Sequence, residues 1–151
     1  MAESATAGDA ATRMLRELSV RLRVSEGPLR RDELEAVHQT RILVRRLRSI
    51  LKAYESVLDR KVARHWRGEL KVWGDALGEA RDAEVRARDG ERMLAELSAG
   101  SAEALRPVLV HASLESYRQG HDALLRRLRS AEHAEMLRDF ELFTDAPDLG
   151  S

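Results

Sequence analysis

Cysteine is absent from this 151-residue chain, so neither a disulfide framework nor a thiolate metal site can form. Proline occurs three times, glycine nine times, and aromatic residues make up 4% of the chain. That scarcity favours helices over sheets. No apolar run approaches the 18 or so residues of a membrane span, and the N-terminus lacks a signal-peptide core. These absences predict a cytoplasmic chain with no membrane segment. Net charge is missing as well, because 26 Lys and Arg balance 26 Asp and Glu. Affinity for an anion must then come from local segregation of charge. The five histidines (His38, His65, His111, His121, His133) never stand four apart, so nothing points to a metal cluster. No glycine-rich phosphate loop follows a strand, and the carboxylates are interleaved with arginine. The expectation is a non-enzymatic chain with no cofactor.

What the sequence does contain is helical periodicity. With 43% hydrophobic residues, 151 residues can fold as one domain and bury about 68–70% of the unfolded surface. Residues 1–9 read as a flexible N-terminal tail, 10–143 as a single helical bundle, and 144–151 as a flexible C-terminal tail. A first helix is expected over about Ala10 to Val24, with Met14, Leu15, Leu18 and Leu22 inward; Ser25-Glu-Gly-Pro28 should break it. Asp32-Glu-Leu-Glu35 resembles a capping box with Asp32 as N-cap. A second helix should run from about Glu33 to Leu58. A third should run from Arg60–Val62 to about Leu97, burying Trp66, Leu70, Trp73, Leu77 and Ala80. Gly74 and Gly78 inside it predict a close approach, since each costs roughly 1 kcal/mol relative to alanine. The fourth should span Glu103 to Arg129, with Pro107 suited to a first turn, and should bury Leu109, Val110, Leu114, Tyr117, Leu124 and Leu128. Ser130 is the expected N-cap of a short last helix carrying Met136, Leu137, Phe140 and Phe143. The fold class predicted is all-α, an antiparallel helical bundle of four main helices plus a short C-terminal one.

The second helix is the unusual one. Between Ala36 and Tyr54 it carries Arg41, Arg45, Arg46, Arg48, Lys52 and His38 but no acid. At about 100° per residue, His38, Arg41, Arg45, Arg48 and Lys52 fall within roughly 80° of one another, opposite Val44, Leu47, Leu51, Tyr54 and Leu58. A solvated helix face ordinarily mixes signs, because like charges four apart repel. The stretch Arg81 to Glu96 does so: Arg81, Asp82, Glu84, Arg86, Arg88, Asp89, Glu91, Arg92 and Glu96. Against that internal control, a row of cations without one acid reads as a site for a polyanion.

His38-Gln-Thr-Arg41, continuing to Arg45-Arg46-Leu-Arg48 and Lys52, resembles the signature helix of CHAD domains, the conserved histidine α-helical domains. The run Leu77-Gly78-Glu-Ala-Arg81-Asp82-Ala-Glu-Val85 is similar to that family's second hallmark. The resemblance implies a helical module that binds inorganic polyphosphate, found beside triphosphate tunnel enzymes and linked to polyphosphate granules. It implies His38, Arg41, Arg45, Arg46, Arg48, Lys52, Arg67, Lys71, Arg81 and Arg118 as polyphosphate-binding residues. A full domain of this kind has two related bundles, and here the basic-helix pattern occurs once. His121-Asp-Ala-Leu-Leu-Arg126 does not repeat it, for its His-to-Arg spacing is five where His38 to Arg45 is seven. The chain therefore resembles the N-terminal half alone, and a homodimer or a complementary second half is the expected partner. The E-x-E-x-K pattern of the tunnel enzyme is absent.

Two other readings compete. His38-x-x-Arg41 on a bundle helix is similar to phosphorelay modules, which leaves the long arginine row unexplained. Nucleic acid could occupy the same basic face, but few aromatics accompany the cations and base stacking is not provided for.

Overall fold

The computed structural model describes residues 2–147, with side chains from residue 7 onward. Its helices are α1 (Ala2–Arg30), α2 (Ala36–Ala53), α3 (Arg60–Ala95), α4 (Ala99–Arg106), α5 (Ala112–Arg129) and α6 (Ala131–Asp145). A π-helical turn, Pro107–His111, joins α4 to α5. Taken as one interrupted rod, α4 and α5 leave four long helices and a short last one, the all-α arrangement the sequence predicts. Neighbours run antiparallel. Val44 and Arg41 of α2 face Gly74 and Gly78 of α3, while Gly120 of α5 meets Ala80 of α3.

The core forms where the apolar stripes meet. Leu15, Leu22 and Leu29 of α1, Val44, Leu47 and Leu51 of α2, and Leu70 and Leu77 of α3 are wholly or almost wholly buried. Leu124, Leu137 and Phe140 close the core from α5 and α6. Both tryptophans belong to it. Trp66 packs edge-on to Phe140 at 5.0 Å, and Trp73 lies 5.1 Å from the His133 ring with the Arg127 guanidinium 4.9 Å from its centroid.

Helix ends depart from the expectations for physical reasons. α1 is helical from Ala2, where residues 1–9 were expected to be a tail, because the opening is rich in alanine, the best helix former. It also continues through Pro28 to Arg30. Proline is tolerated here because the last turn is fastened from outside. Leu29 is fully buried, and the Glu26 carboxylate accepts from the buried His133 Nε2 at 2.9 Å. Arg127 Nε donates to the other ring nitrogen at 3.1 Å, which fixes the proton on Nε2. At the other end of the chain Thr144 is buried inside α6, so the helix takes in the first residues of the expected 144–151 tail; residues 148–151 lie outside the described part. α2 stops at Ala53 and a turn carries the chain to Leu58. Ser130 caps α6 as expected, accepting from the His133 amide at 3.1 Å.

The Pro107 region differs most. Proline has no amide hydrogen, so one rung of the ladder is missing, and the chain widens into π geometry there instead of starting a helix. Leu114 turns out to be exposed, opening onto a shallow cavity beside Asp32.

Candidate functional site

α2 begins from a strained turn. Asp32 and Glu35 both have left-handed backbones, at φ 52° and 66°, conformations costly for residues other than glycine. Asp32 does not cap α2, and the residue before the helix is Glu35, whose side chain makes no capping bond. Both acids instead anchor the turn to other helices. The Asp32 carboxylate accepts from the Tyr117 hydroxyl of α5, and burial together with that bond pushes the Tyr117 phenol above its ordinary pKa. The Glu35 carboxylate accepts from Arg88 of α3 at 2.9 Å and lies 3.8 Å from Arg81. The Arg88 bond, with the charges of Arg81, Arg88 and His38, holds Glu35 below the usual carboxylate range despite some desolvation. The rotation and height of α2, and hence the aim of its cations, follow from this anchored turn.

The cationic row divides according to its angular position. Arg45 and Lys52 project into solvent, whereas His38, Arg41 and Arg48 are half-buried. Arg41 and Arg48 lean into the seam between α2 and α3. A Cβ built on Gly78 would lie 3.6 Å from Arg41 Nε, and one on Gly74 would lie 3.3 Å from Val44 Cγ1. Gly74 therefore packs closely against α2, as expected, whereas a Cβ at Gly78 would make only ordinary contact with the Arg41 side chain lying over it. Two nitrogens of the row, His38 Nδ1 and Arg48 Nε, are buried with no hydrogen-bond partner. Among the described residues, His38, Arg41, Arg45, Arg46, Arg48 and Lys52 make no ion pair. Arg46, also exposed, shares with Arg45 the lining of a groove of about 530 Å³ between α1 and α2, beside Met14, Glu17, Leu18, Ile42 and Ile50.

The residues expected from the other helices behave differently. Arg67 of α3 is half-buried and makes no ion pair among the described residues; the antiparallel register places it at the Lys52 end of the seam. Lys71 donates to Asp75 at 2.8 Å. Arg81 is nearly buried and pairs with Glu84 at 3.2 Å as well as with Glu35, so it serves as a strut for the α2 turn. Arg118 pairs with Glu115 at 3.3 Å and lines the cavity beside Asp32 and His121, not the seam. His121 itself is buried with Nε2 2.9 Å from the Leu29 carbonyl, a bond that closes the end of α1. Sequence reasoning missed the acids Glu35 and Asp75. The four-residue spacing of Lys71 and Asp75 was a usable signal; the left-handed turn at Glu35 left none.

The CHAD domain family model matches residues 13–151. This chain belongs to the CHAD family. CHAD domains in general bind polyphosphate and act as non-catalytic binding domains. An uncharacterised protein of Mycobacterium tuberculosis is 34% identical to this CHAD chain over 113 residues, which are 72% of the chain and 21% of that protein. Its counterpart from a second strain is 33% identical with the same coverage. The chain thus spans about a fifth of the length of these curated relatives. PptA from Streptomyces chartreusis superposes with a TM-score of 0.78 at 20% identity, covering 95% of this chain and 51% of that one. At that identity the likeness is one of fold. Within the described residues no helix is long and apolar enough to cross a membrane, and no group of acidic and histidine side chains is placed to hold a metal ion.

Proposed function

We propose that this CHAD chain binds inorganic polyphosphate, without catalysis, along the outer face of α2 and its seam with α3. The observation that carries the reading is the uncompensated row. Arg41, Arg45, Arg48 and Lys52 make no ion pair among the described residues, and no acid stands between Ala36 and Tyr54 to offset them. From His38 to Lys52 the row covers about 21 Å at 1.5 Å per residue, room for several phosphate units. Arginine meets phosphate with two parallel N–H groups and lysine adds a compact charge. Counterion release adds a salt-sensitive share of affinity. The buried, unpartnered Nδ1 of His38 and Nε of Arg48 have hydrogen bonds still to make, and a phosphate oxygen entering the seam would accept from the arginine.

The reading also takes up the expected partner. The α1–α2 groove is apolar along Met14, Leu18, Ile42 and Ile50 with Arg45 and Arg46 at its rim, and a second copy or second CHAD half is the occupant proposed for it. A bundle of this kind would act in the cytoplasm, at polyphosphate granules.

A filter-binding titration with long-chain polyphosphate, orthophosphate, and single- and double-stranded nucleic acids at two salt concentrations tests this. Polyphosphate should bind tightly and lose affinity with salt. Replacing Arg41, Arg45 and Arg48 together by Gln should remove most of that affinity and leave the helical circular dichroism intact. Tight nucleic-acid binding with none to polyphosphate would overturn the reading, as would unfolding of the triple variant. Phosphorylation of His38 by a phosphodonor would favour the phosphorelay alternative.

A further inference from the structure

Lys71 and Asp75 stand one turn apart on α3, on the flank that faces the α2 row. Gly74, beside Asp75, packs against Val44, and Gly78, one turn on, lies under Arg41. Asp75 Oδ2 is 2.8 Å from Lys71 Nζ, and both side chains are well exposed, at 64% and 60%. The Lys71 bond and charge, joined by the charge of Arg48 across the seam, hold the Asp75 carboxyl below its usual range. Glu79, one turn on from Asp75, is exposed, makes no ion pair among the described residues and lines a cavity between α3 and α5. In the free chain a carboxylate therefore sits among cations where an anionic ligand would lie, and it holds the α3 lysine.

From this we infer that Asp75 is an internal counter-ion of the seam, which competes with bound polyanion for Lys71 and Arg48 and so sets the strength of binding. The inference rests on the reading of the seam as a polyphosphate site. Exposed ion pairs contribute little, so a phosphate chain can displace the carboxylate from Lys71 at small cost. The displaced carboxylate remains charged and close to the ligand, and it opposes binding at every ligand length. A unit charge some 6 Å from phosphate, at an exposed surface of effective dielectric constant between about 40 and 80, corresponds to about a three- to tenfold change in affinity.

The experiment measures polyphosphate binding to the whole chain carrying Asp75→Asn, an isosteric exchange that removes only the charge. Affinity should rise about three- to tenfold. The dependence of log K on log salt should steepen by up to about one, because Lys71 becomes available to neutralise a further phosphate. Asp139→Asn, the same charge change on the exposed face of α6, serves as the control and should leave affinity within twofold. Adding Lys71→Gln to Asp75→Asn should cancel most of the gain. Unchanged affinity in Asp75→Asn, or an equal gain in Asp139→Asn, would overturn the counter-ion role while wild-type binding stands. Absence of binding by the wild-type chain would instead overturn the polyphosphate reading beneath it.

Discussion

Gly90 is the position where a single methyl group should cost most. It is buried on α3 against the π-helical turn, and a Cβ built there would stand 2.0 Å from the Leu109 carbonyl oxygen and 2.8 Å from its carbon. Val110 Cγ2 would be 3.3 Å away. Cβ contacts under 3.0 Å essentially do not occur, so α3 and the turn would have to part by about 1 Å. Both surfaces are backbone and neither can swing aside as a side chain would. Overpacking of this kind costs about 1–3 kcal/mol or more, and the rigidity of both partners places Gly90→Ala at the upper end. Alanine returns about 1 kcal/mol of helix propensity, leaving a net loss of about 2 kcal/mol. For a domain of this size that lowers Tm by about 4–8 °C. Gly68→Ala supplies the opposite case, since it sits in the same helix, exposed, with nothing within 4 Å of the new atom. It should gain up to about 1 kcal/mol and raise Tm by about 2–4 °C. Thermal and urea melts followed by circular dichroism would separate the two variants by about 3 kcal/mol. Equal melting, or a higher Tm for Gly90→Ala, would refute the close approach of the π turn to α3.

Glu35→Gln should lower Tm at neutral pH, because a depressed carboxylate stabilises the fold above its unfolded pKa. That contribution fades as pH falls through the folded value, so variant and wild type should converge well below the ordinary 4.5, and a gap constant from pH 7 to 3 would contradict the Arg88 and Arg81 anchors. Light scattering coupled to size exclusion should report about twice the 17.0 kDa chain mass at micromolar concentration; a clean monomer with and without polyphosphate would dismiss the α1–α2 groove as a pairing face.

The parts of the fold that sequence could reveal are those that repeat. The stripes through Val44, Leu47 and Leu51, and through Trp66, Leu70, Trp73 and Leu77, recur at helical spacing, and all seven residues are buried. A local rule also sufficed at Ser130, whose hydroxyl reaches an amide three residues on. Pro28 shows where local rules fail. Its chain should break, yet Leu29 and the Glu26–His133 pair, contributed by a helix more than a hundred residues away, keep it helical. The candidate site divides in the same way. Helical periodicity places Arg41, Arg45, Arg48 and Lys52 on one face. Lys71, Arg81 and Arg118 meet Asp75, Glu84 and Glu115 three or four residues away on their own helices, a spacing visible in the sequence, whereas the Arg81–Glu35 contact is shown only by the folded chain.

The gathering of unpaired cations on one face of α2, in a chain of balanced charge, has a kinetic consequence. A chain whose charges sum to zero has no monopole field, and at physiological salt the local field of its exposed row is screened beyond about 8 Å. A passing polyanion is not drawn in from a distance, so encounter should proceed at the ordinary unsteered rate of about 10⁵–10⁶ M⁻¹s⁻¹. On the proposed reading, discrimination would then rest on residence time, which lengthens with each successive cation a flexible chain engages after first touching the helix. Uniformly basic proteins gather anions of every kind around them. If α2 binds polyphosphate as proposed, its attraction stays within touching range of one helix, and a ligand must already have arrived before its charge density is read.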